Sequence, residues 1–255
     1  IFSYMKKFHN QAHCTMVPTQ ETYEQLSVMG FERLKVVARG VDTQLFSPAR
    51  RNHLLRQQWG ASANTLVLLS TGRLAAEKNL DLVVSSYESI RASGTDCKLV
   101  FVGDGPYRSE LQRRCPDAIF AGFQTGTDLA DHYASADLFL FPSLTETFGN
   151  VTLEALSSGL PVLAFEHAAA KELITPDLNG ALAPPDQADR FISLAVDLAA
   201  HADLRNQMQL HARARALKMS WSSIIEKLET TYSSLIDNNA HAVIPTSQHC
   251  SINAT

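Results

Sequence analysis

Between residues 65 and 180, short apolar runs alternate with longer amphipathic stretches. The runs at 65–70, 98–102, 118–120, 138–141 and 161–164 are rich in Leu, Val and Phe, with few polar residues interleaved. Runs of that length and character predict strands buried on both faces, as in a parallel sheet. Between them apolar residues recur at helical spacing, predicting helices over 79–92, 107–114, 128–135, 150–158 and 170–174. The order strand, helix, strand implies an α/β fold: a doubly wound parallel sheet, Rossmann-like, covered by helices on both sides. Ahead of it the pattern predicts a helix ending near residue 13, a short strand over 14–18, a helix over 19–29 capped by Thr19 and stopped by Gly30, and a strand over 34–37. Residues 39–48 read as connecting chain. After Gly180 the pattern is helical, over 187–200, 204–217 and 221–235, the last capped by Ser220. Residues 238–255 lack periodicity and read as a mobile tail. The chain starts inside a helical pattern, which reads as a piece of a longer protein, and its organisation is expected to be 1–35, 36–237 and 238–255.

Composition narrows the classes. With 255 residues, 45% hydrophobic and 19% charged, the chain is globular rather than disordered. A formal net charge of −4 and a pI near 6.1 give no electrostatic reason to expect nucleic acid. No apolar run approaches the roughly 20 residues that span a bilayer, and the opening residues lack the order of a signal peptide, so a cytoplasmic protein is expected. Cys14, Cys97, Cys115 and Cys250 are widely spaced with no C-x-x-C pair, which fits reduced thiols. Of the nine histidines, His9 and His13 come closest to a metal-ligand spacing, and alone they are weak.

The chemistry gathers at the ends of the predicted strands. The run at 138–141 stops at Pro142. A loop holding Glu146 and Phe148 follows, and Gly149 turns the chain into a helix starting near Asn150. The first N–H groups of a helix have no intrahelical partner and lie at the positive end of the macrodipole, so the Gly149-Asn150-Val151 backbone is a candidate anion site. Glu146 before it and Glu154 one turn inside it can accept hydrogen bonds from hydroxyls. A ligand with an anionic centre and hydroxylated ends is a nucleotide sugar. The strand at 65–70 leads into Gly72-Arg73, with Lys78 across a short loop, and the two cations are placed to converge on a diphosphate. Gly103-Asp104-Gly105 looks like the first half of a dinucleotide fingerprint, but its third glycine position is Arg108, which weakens a dehydrogenase reading. Phe123 offers an aromatic face for a nucleobase.

Taken together, Gly72-Arg73-Leu74 with Glu77-Lys78, Gly103-Asp104-Gly105, Ala136-Asp137, Pro142-Ser143, Glu146-Thr147-Phe148-Gly149, Glu154-Ala155 and Gly159-Leu160-Pro161-Val162 resemble the carboxy-terminal half of the family 4 (group 1) retaining glycosyltransferases of GT-B fold. The likeness runs from Val36 to about Gly180 in unbroken order. Arg39 stands where the family's Asn-Gly-Val-Asp segment has asparagine, which resembles a branch that includes mannosyltransferases. The resemblance implies a hexose, mannose as the best choice, moved with retention from GDP-mannose or a UDP-sugar to a lipid or glycan acceptor. It implies Arg73 and Lys78 on the donor diphosphate, Glu146 beside the donor sugar, Glu154 on the ribose, and the 148–151 backbone facing sugar and phosphate, with Gly72, Gly103, Asp104 and Phe123 completing the donor site. No cofactor and no metal are expected, and no D-x-D pair occurs in the chain. Residues 1–35 then correspond to the end of an acceptor-binding first domain and its linker. Through that domain, peripheral contact with the inner face of the plasma membrane is expected. A non-catalytic nucleotide-sugar-binding module, or a nucleotide-sugar epimerase or dehydrogenase of related topology, are the alternative readings.

Overall fold

The computed structural model describes residues 2–145 and 149–242, side chains beyond residue 237 excepted. In chain order the elements are α1 (Phe2–His9), β1 (Thr15–Val17), α2 (Gln20–Val28), β2 (Leu34–Val36), α3 (His53–Gln58), β3 (Leu66–Thr71), α4 (Leu80–Ala92), β4 (Cys97–Val102), α5 (Arg108–Arg114), β5 (Ile119–Gly122) and α6 (Gly126–Ser135). There follow β6 (Leu138–Phe141), α7 (Asn150–Ser157), β7 (Val162–Phe165), α8 (Ala168–Leu173), β8 (Gly180–Ala183), α9 (Ala188–Ala200), α10 (Ala202–Leu217) and α11 (Trp221–Ala242).

Six parallel strands form the main sheet in the order β5-β4-β3-β6-β7-β8. Strand order reverses between β3 and β6, which pair through Leu68↔Leu138 and Leu69↔Phe139. In such sheets the loops leaving the two central strands diverge to opposite faces and open a crevice at their carboxyl ends. The inner strands are buried on both sides while the edge strand β5 is half-buried, and their side chains separate into two cores as the pleat dictates. Val67, Leu69, Phe139, Phe141 and Val162 face one core, shared with Leu153 and Leu156 of α7 and Ala212 and Ala216 of α10. Leu66, Leu68, Leu138, Leu140 and Leu163 face the other, against Val83, Val84 and Ile90 of α4 and Phe191 of α9. The Rossmann-like α/β fold expected from the sequence is the one observed.

Several local expectations need correction. The chain after Gly180 is not helical throughout: β8 pairs in parallel with β7 before α9 begins. Its sequence, Gly-Ala-Leu-Ala, lacks the β-branched and aromatic residues that mark a strand, and pairing with an already buried neighbour decides the matter. The stretch 39–48 is more than connecting chain, since Val41 and Phe46 lie in the core, and α3 was not foreseen. Arg213 donates to the carbonyls of Thr43 (2.8 Å), Phe46 (2.8 Å) and Ser157 (2.7 Å), pinning this stretch to the end of α7. The final helix runs to Ala242, past the expected start of the tail at 238, and residues 243–255 lie outside the described residues. Helix α1 ends at His9, so His13 is not on the same helix, and His9 Nδ1 instead meets Thr15 Oγ1 at 3.2 Å. The caps at Thr19 and Ser220 form as expected, accepting from the N–H groups of Thr22 (3.1 Å) and Ser223 (3.2 Å).

Candidate functional site

The crevice at the strand reversal holds two adjoining cavities. One, about 590 Å³, is lined by Arg39, Arg73, Glu77, Lys78, Thr145 and the Gly149-Asn150-Val151 turn, among others. The other, about 380 Å³, is lined by Val102, Gly103, Asp104, Phe123, Gln124, Leu129, Tyr133 and Glu154. Thr71, Gly72, Arg73 and Val151 line both, so the two lobes meet at the end of β3. The first lobe is rich in cations; the second has largely apolar walls with two carboxylates, Asp104 and Glu154.

Local backbone structure explains how each side chain arrives. Gly72 N–H donates to Val102 O and Leu74 N–H to Asp104 O, each at 2.9 Å, so the β3–β4 pairing continues through the loop and presents Arg73 at the crevice. Gly103 has φ 133°, and a Cβ there would sit 1.9 Å from Gly72 O, so only glycine allows the two loops to lie this close. Lys78 ends a 3-10 turn, Ala76–Lys78, that is stopped by Asn79 in the left-handed region (φ 54°, ψ 39°), a conformation asparagine tolerates. Gly149, also left-handed at φ 77°, caps α7 without a side-chain hydrogen bond, and the start of that helix forms one wall of the cationic lobe. Glu146 and Phe148 lie outside the described residues.

The cations are not idle in this state. Arg73 pairs with Glu77, and that hydrogen bond is the main reason the Glu77 carboxyl sits below its ordinary pKa. The pair is exposed, so water screens it and an incoming anion can compete for the guanidinium. Asp104 accepts from Gly105 N–H at 2.7 Å and from Arg108 at 2.9 Å. Arg108, the residue that breaks the dinucleotide fingerprint, thus anchors the loop aspartate. Phe123 is 77% exposed at the rim of the second lobe, an aromatic face open to a ligand.

Glu154 projects from α7 into the second lobe, where burial raises its pKa, partly offset by a hydrogen bond from Tyr133 OH to Oε2 at 2.9 Å. Tyr133 OH lies 2.6 Å from Thr71 Oγ1. Desolvation, followed by the charge of Glu154, pushes the Tyr133 phenol well above its ordinary value, so it stays protonated.

Of the residues expected from the sequence, Gly72, Arg73, Lys78, Gly149, Asn150 and Val151 share the first lobe, and Gly103, Asp104, Phe123 and Glu154 the second. Sequence reasoning missed Thr71, Tyr133 and Arg39 as lining residues. Tyr133 sits on the apolar stripe of α6, where it reads as core; the only available signal was that a buried tyrosine hydroxyl needs a partner. Among the described residues, no group of three or more His, Cys, Asp or Glu side chains gathers as a metal site, and no helix is long and apolar enough to cross a membrane.

Comparison with known proteins bears directly on this crevice. The family model described as glycosyl transferases group 1 matches residues 65–201, the stretch that builds β3 to α9. A GDP-mannose-dependent alpha-mannosyltransferase of Mycobacterium tuberculosis is 37% identical over 227 residues, covering 89% of this chain and 58% of that protein. A protein of the same name from Corynebacterium glutamicum is 30% identical over 235 residues, covering 92% of this chain and 56% of that protein. The chain therefore spans little more than half the length of these relatives. In fold, the Anabaena protein Alr3699/HepE, solved in complex with UDP, superposes with a TM-score of 0.80 at 24% identity, covering 90% of this chain and 66% of that one. A six-stranded sheet with its crevice at the strand reversal, the motifs that line it and these similarities lead to one conclusion: the chain belongs to the group 1 glycosyl transferases, with the Rossmann-like architecture found in GT-B enzymes.

Proposed function

We propose that this chain is the donor-binding half of a retaining glycosyltransferase that moves mannose from GDP-mannose to a lipid or glycan acceptor. The observation that carries the proposal is the joining of two unlike lobes: Arg39, Arg73, Lys78 and the start of α7 around one, Glu154 and Phe123 around the other. A nucleoside diphosphate has the matching parts, an anionic centre with a hydroxylated ribose and a flat base on one side. In this reading Arg73 and Lys78 hold the diphosphate, with Gly72 and the Asn150-Val151 backbone alongside. Glu154 takes the ribose hydroxyls, Phe123 covers the base, and Gly103 and Asp104 shape its edge. Glu146 and Phe148 are assigned to the donor sugar by their motif alone.

As the glycosidic bond breaks, negative charge grows on the departing diphosphate. Cations and a helix N-terminus set in place beforehand stabilise that charge more than they stabilise the intact donor, which lowers the barrier. The Arg73–Glu77 pair adds a step: Arg73 already lines the lobe, and diphosphate displaces or shares Glu77 as its partner. No metal is assigned a part. The names of the relatives favour mannose and guanine; the acceptor, together with any peripheral membrane contact it requires, is assigned to the first domain, of which residues 1–35 are taken as the end.

Calorimetric titration of GDP and UDP into this chain, with GDP-mannose turnover assayed on the complete protein, tests the proposal. Expected are saturable binding with GDP tighter than UDP, little turnover by this half alone, transfer by the complete protein with the α-configuration preserved, and no effect of EDTA. Glu146→Gln is expected to abolish transfer while leaving GDP bound. Failure of both nucleotides to bind removes the proposal, and binding without transfer by the complete protein makes it a sensor instead.

A further inference from the structure

We propose that Tyr133 and Thr71 are positioning residues for the donor ribose: they fix the Glu154 carboxylate through one oxygen and leave the other to receive ribose hydroxyls. This rests on the reading of Glu154 as the ribose acceptor. The direction of the chain of bonds follows from counting protons. A neutral tyrosine has one hydroxyl hydrogen, and it goes to Glu154 Oε2 at 2.9 Å. At the 2.6 Å contact between Tyr133 OH and Thr71 Oγ1, threonine must therefore be the donor. The relay runs Thr71 to Tyr133 to Glu154, ending on a carboxylate. No other side chain of the described residues bonds to Glu154, and Glu154 and Tyr133 line the same lobe as Phe123.

The tyrosine is held so that its hydroxyl has one place to be. It is fully buried, with its ring centroid 5.7 Å from both Phe46, edge-on, and Phe139. The aromatic neighbours would pack equally well around phenylalanine, so packing alone gives no reason for the hydroxyl. Its effect is on the carboxylate. Burial disfavours the charged form of Glu154, and the Tyr133 bond works against that. Ionised and aimed, Glu154 has acceptor capacity left for a vicinal diol; rotated or protonated, it has less. Thr71 also touches the cationic lobe, so the relay begins where the diphosphate is assigned and ends where the ribose is.

The test compares this chain with Tyr133→Phe, Thr71→Val and Glu154→Ala, titrating each calorimetrically with GDP and with 2′,3′-dideoxy-GDP and checking each fold by thermal melting. The wild type is expected to prefer GDP. Tyr133→Phe is expected to lower GDP affinity about five- to tenfold, the net worth of one ordinary hydrogen bond, while leaving dideoxy-GDP affinity unchanged. Thr71→Val should shift the same ratio in the same direction by a smaller factor, and Glu154→Ala should remove the preference. Should Glu154→Ala remove it while Tyr133→Phe keeps the wild-type ratio, or lowers both affinities alike, the relay is overturned and the ribose reading stands. A wild type indifferent to the ribose hydroxyls, or a Glu154→Ala variant that still prefers GDP, overturns the ribose reading and the relay with it. If Tyr133→Phe fails to fold, an unchanged ratio in Thr71→Val is the overturning result.

Discussion

At the amino ends of β3 and β6, Asp137 accepts hydrogen bonds from Arg51 (2.7 Å), Arg56 (2.9 Å) and the Val67 N–H (2.8 Å). Arg56, only 3% exposed, also donates to the carbonyls of Ser135, Ser62 and Thr65. At the carboxyl ends of the same two strands, Arg73 pairs with Glu77 in the open, and the start of α7 faces a cavity. Both clusters are built from arginine and carboxylate, and both belong to motifs that resemble the family. They differ in what surrounds them. The buried cluster has its hydrogen-bonding capacity met by fixed backbone groups, so it joins α3, β3 and β6 into one piece and has little left for a ligand. In the exposed cluster the Arg73–Glu77 pair is screened by water, so the guanidinium charge remains available. Similarity of motif thus says nothing about whether a charged residue is locked into the fold or left open to a crevice; desolvation does.

Three substitutions put pressure on that contrast. Asp137→Ala leaves Arg56 charged and buried without its carboxylate, so it should lower stability by about 3–5 kcal/mol in a urea titration. A loss below about 1 kcal/mol would place Asp137 with the weak surface pairs instead. Arg73→Ala is expected to change stability by no more than about 0.5 kcal/mol, since its side chain is 66% exposed. Its cost appears in binding: GDP affinity should fall roughly ten- to a hundredfold by calorimetry, as for a lost charge-assisted hydrogen bond. The smallest effect is expected from Glu154→Gln. Burial raises the Glu154 pKa above its unfolded value, so at neutral pH the ionised form costs stability. That cost is relieved as pH falls through the folded pKa. The Gln variant should therefore be slightly more stable than wild type at pH 7.5, and the difference should shrink toward pH 5 in parallel urea titrations. A difference that grows on acidification would reverse the assigned direction.

The crevice-lining residues were legible in the sequence where chemistry and local backbone coincide. Gly72 with Arg73, Lys78 before Asn79, and Gly149 before α7 each pair a reactive or positive feature with a turn that the local sequence dictates. Tyr133 and Thr71 were hidden because their roles depend on partners 21 and 62 positions away, across α6, β3 and α7. Arg39 was noted only as a departure from a motif, since nothing nearby announces that it reaches the lobe of Arg73 and Lys78.

What the sequence determined by itself is the alternation of strand and helix, the parallel sheet buried on both faces, and glycine turns at strand ends. These follow from hydrophobic period and backbone sterics, which act over a few residues. Tertiary structure alone decided that β8 completes the sheet, that Val41 and Phe46 join the core, that Asp137 holds the fold while Arg73 stays open, and that Glu154 is met by Tyr133. Each of these depends on which distant groups lose water together, and a linear pattern does not encode that shared desolvation.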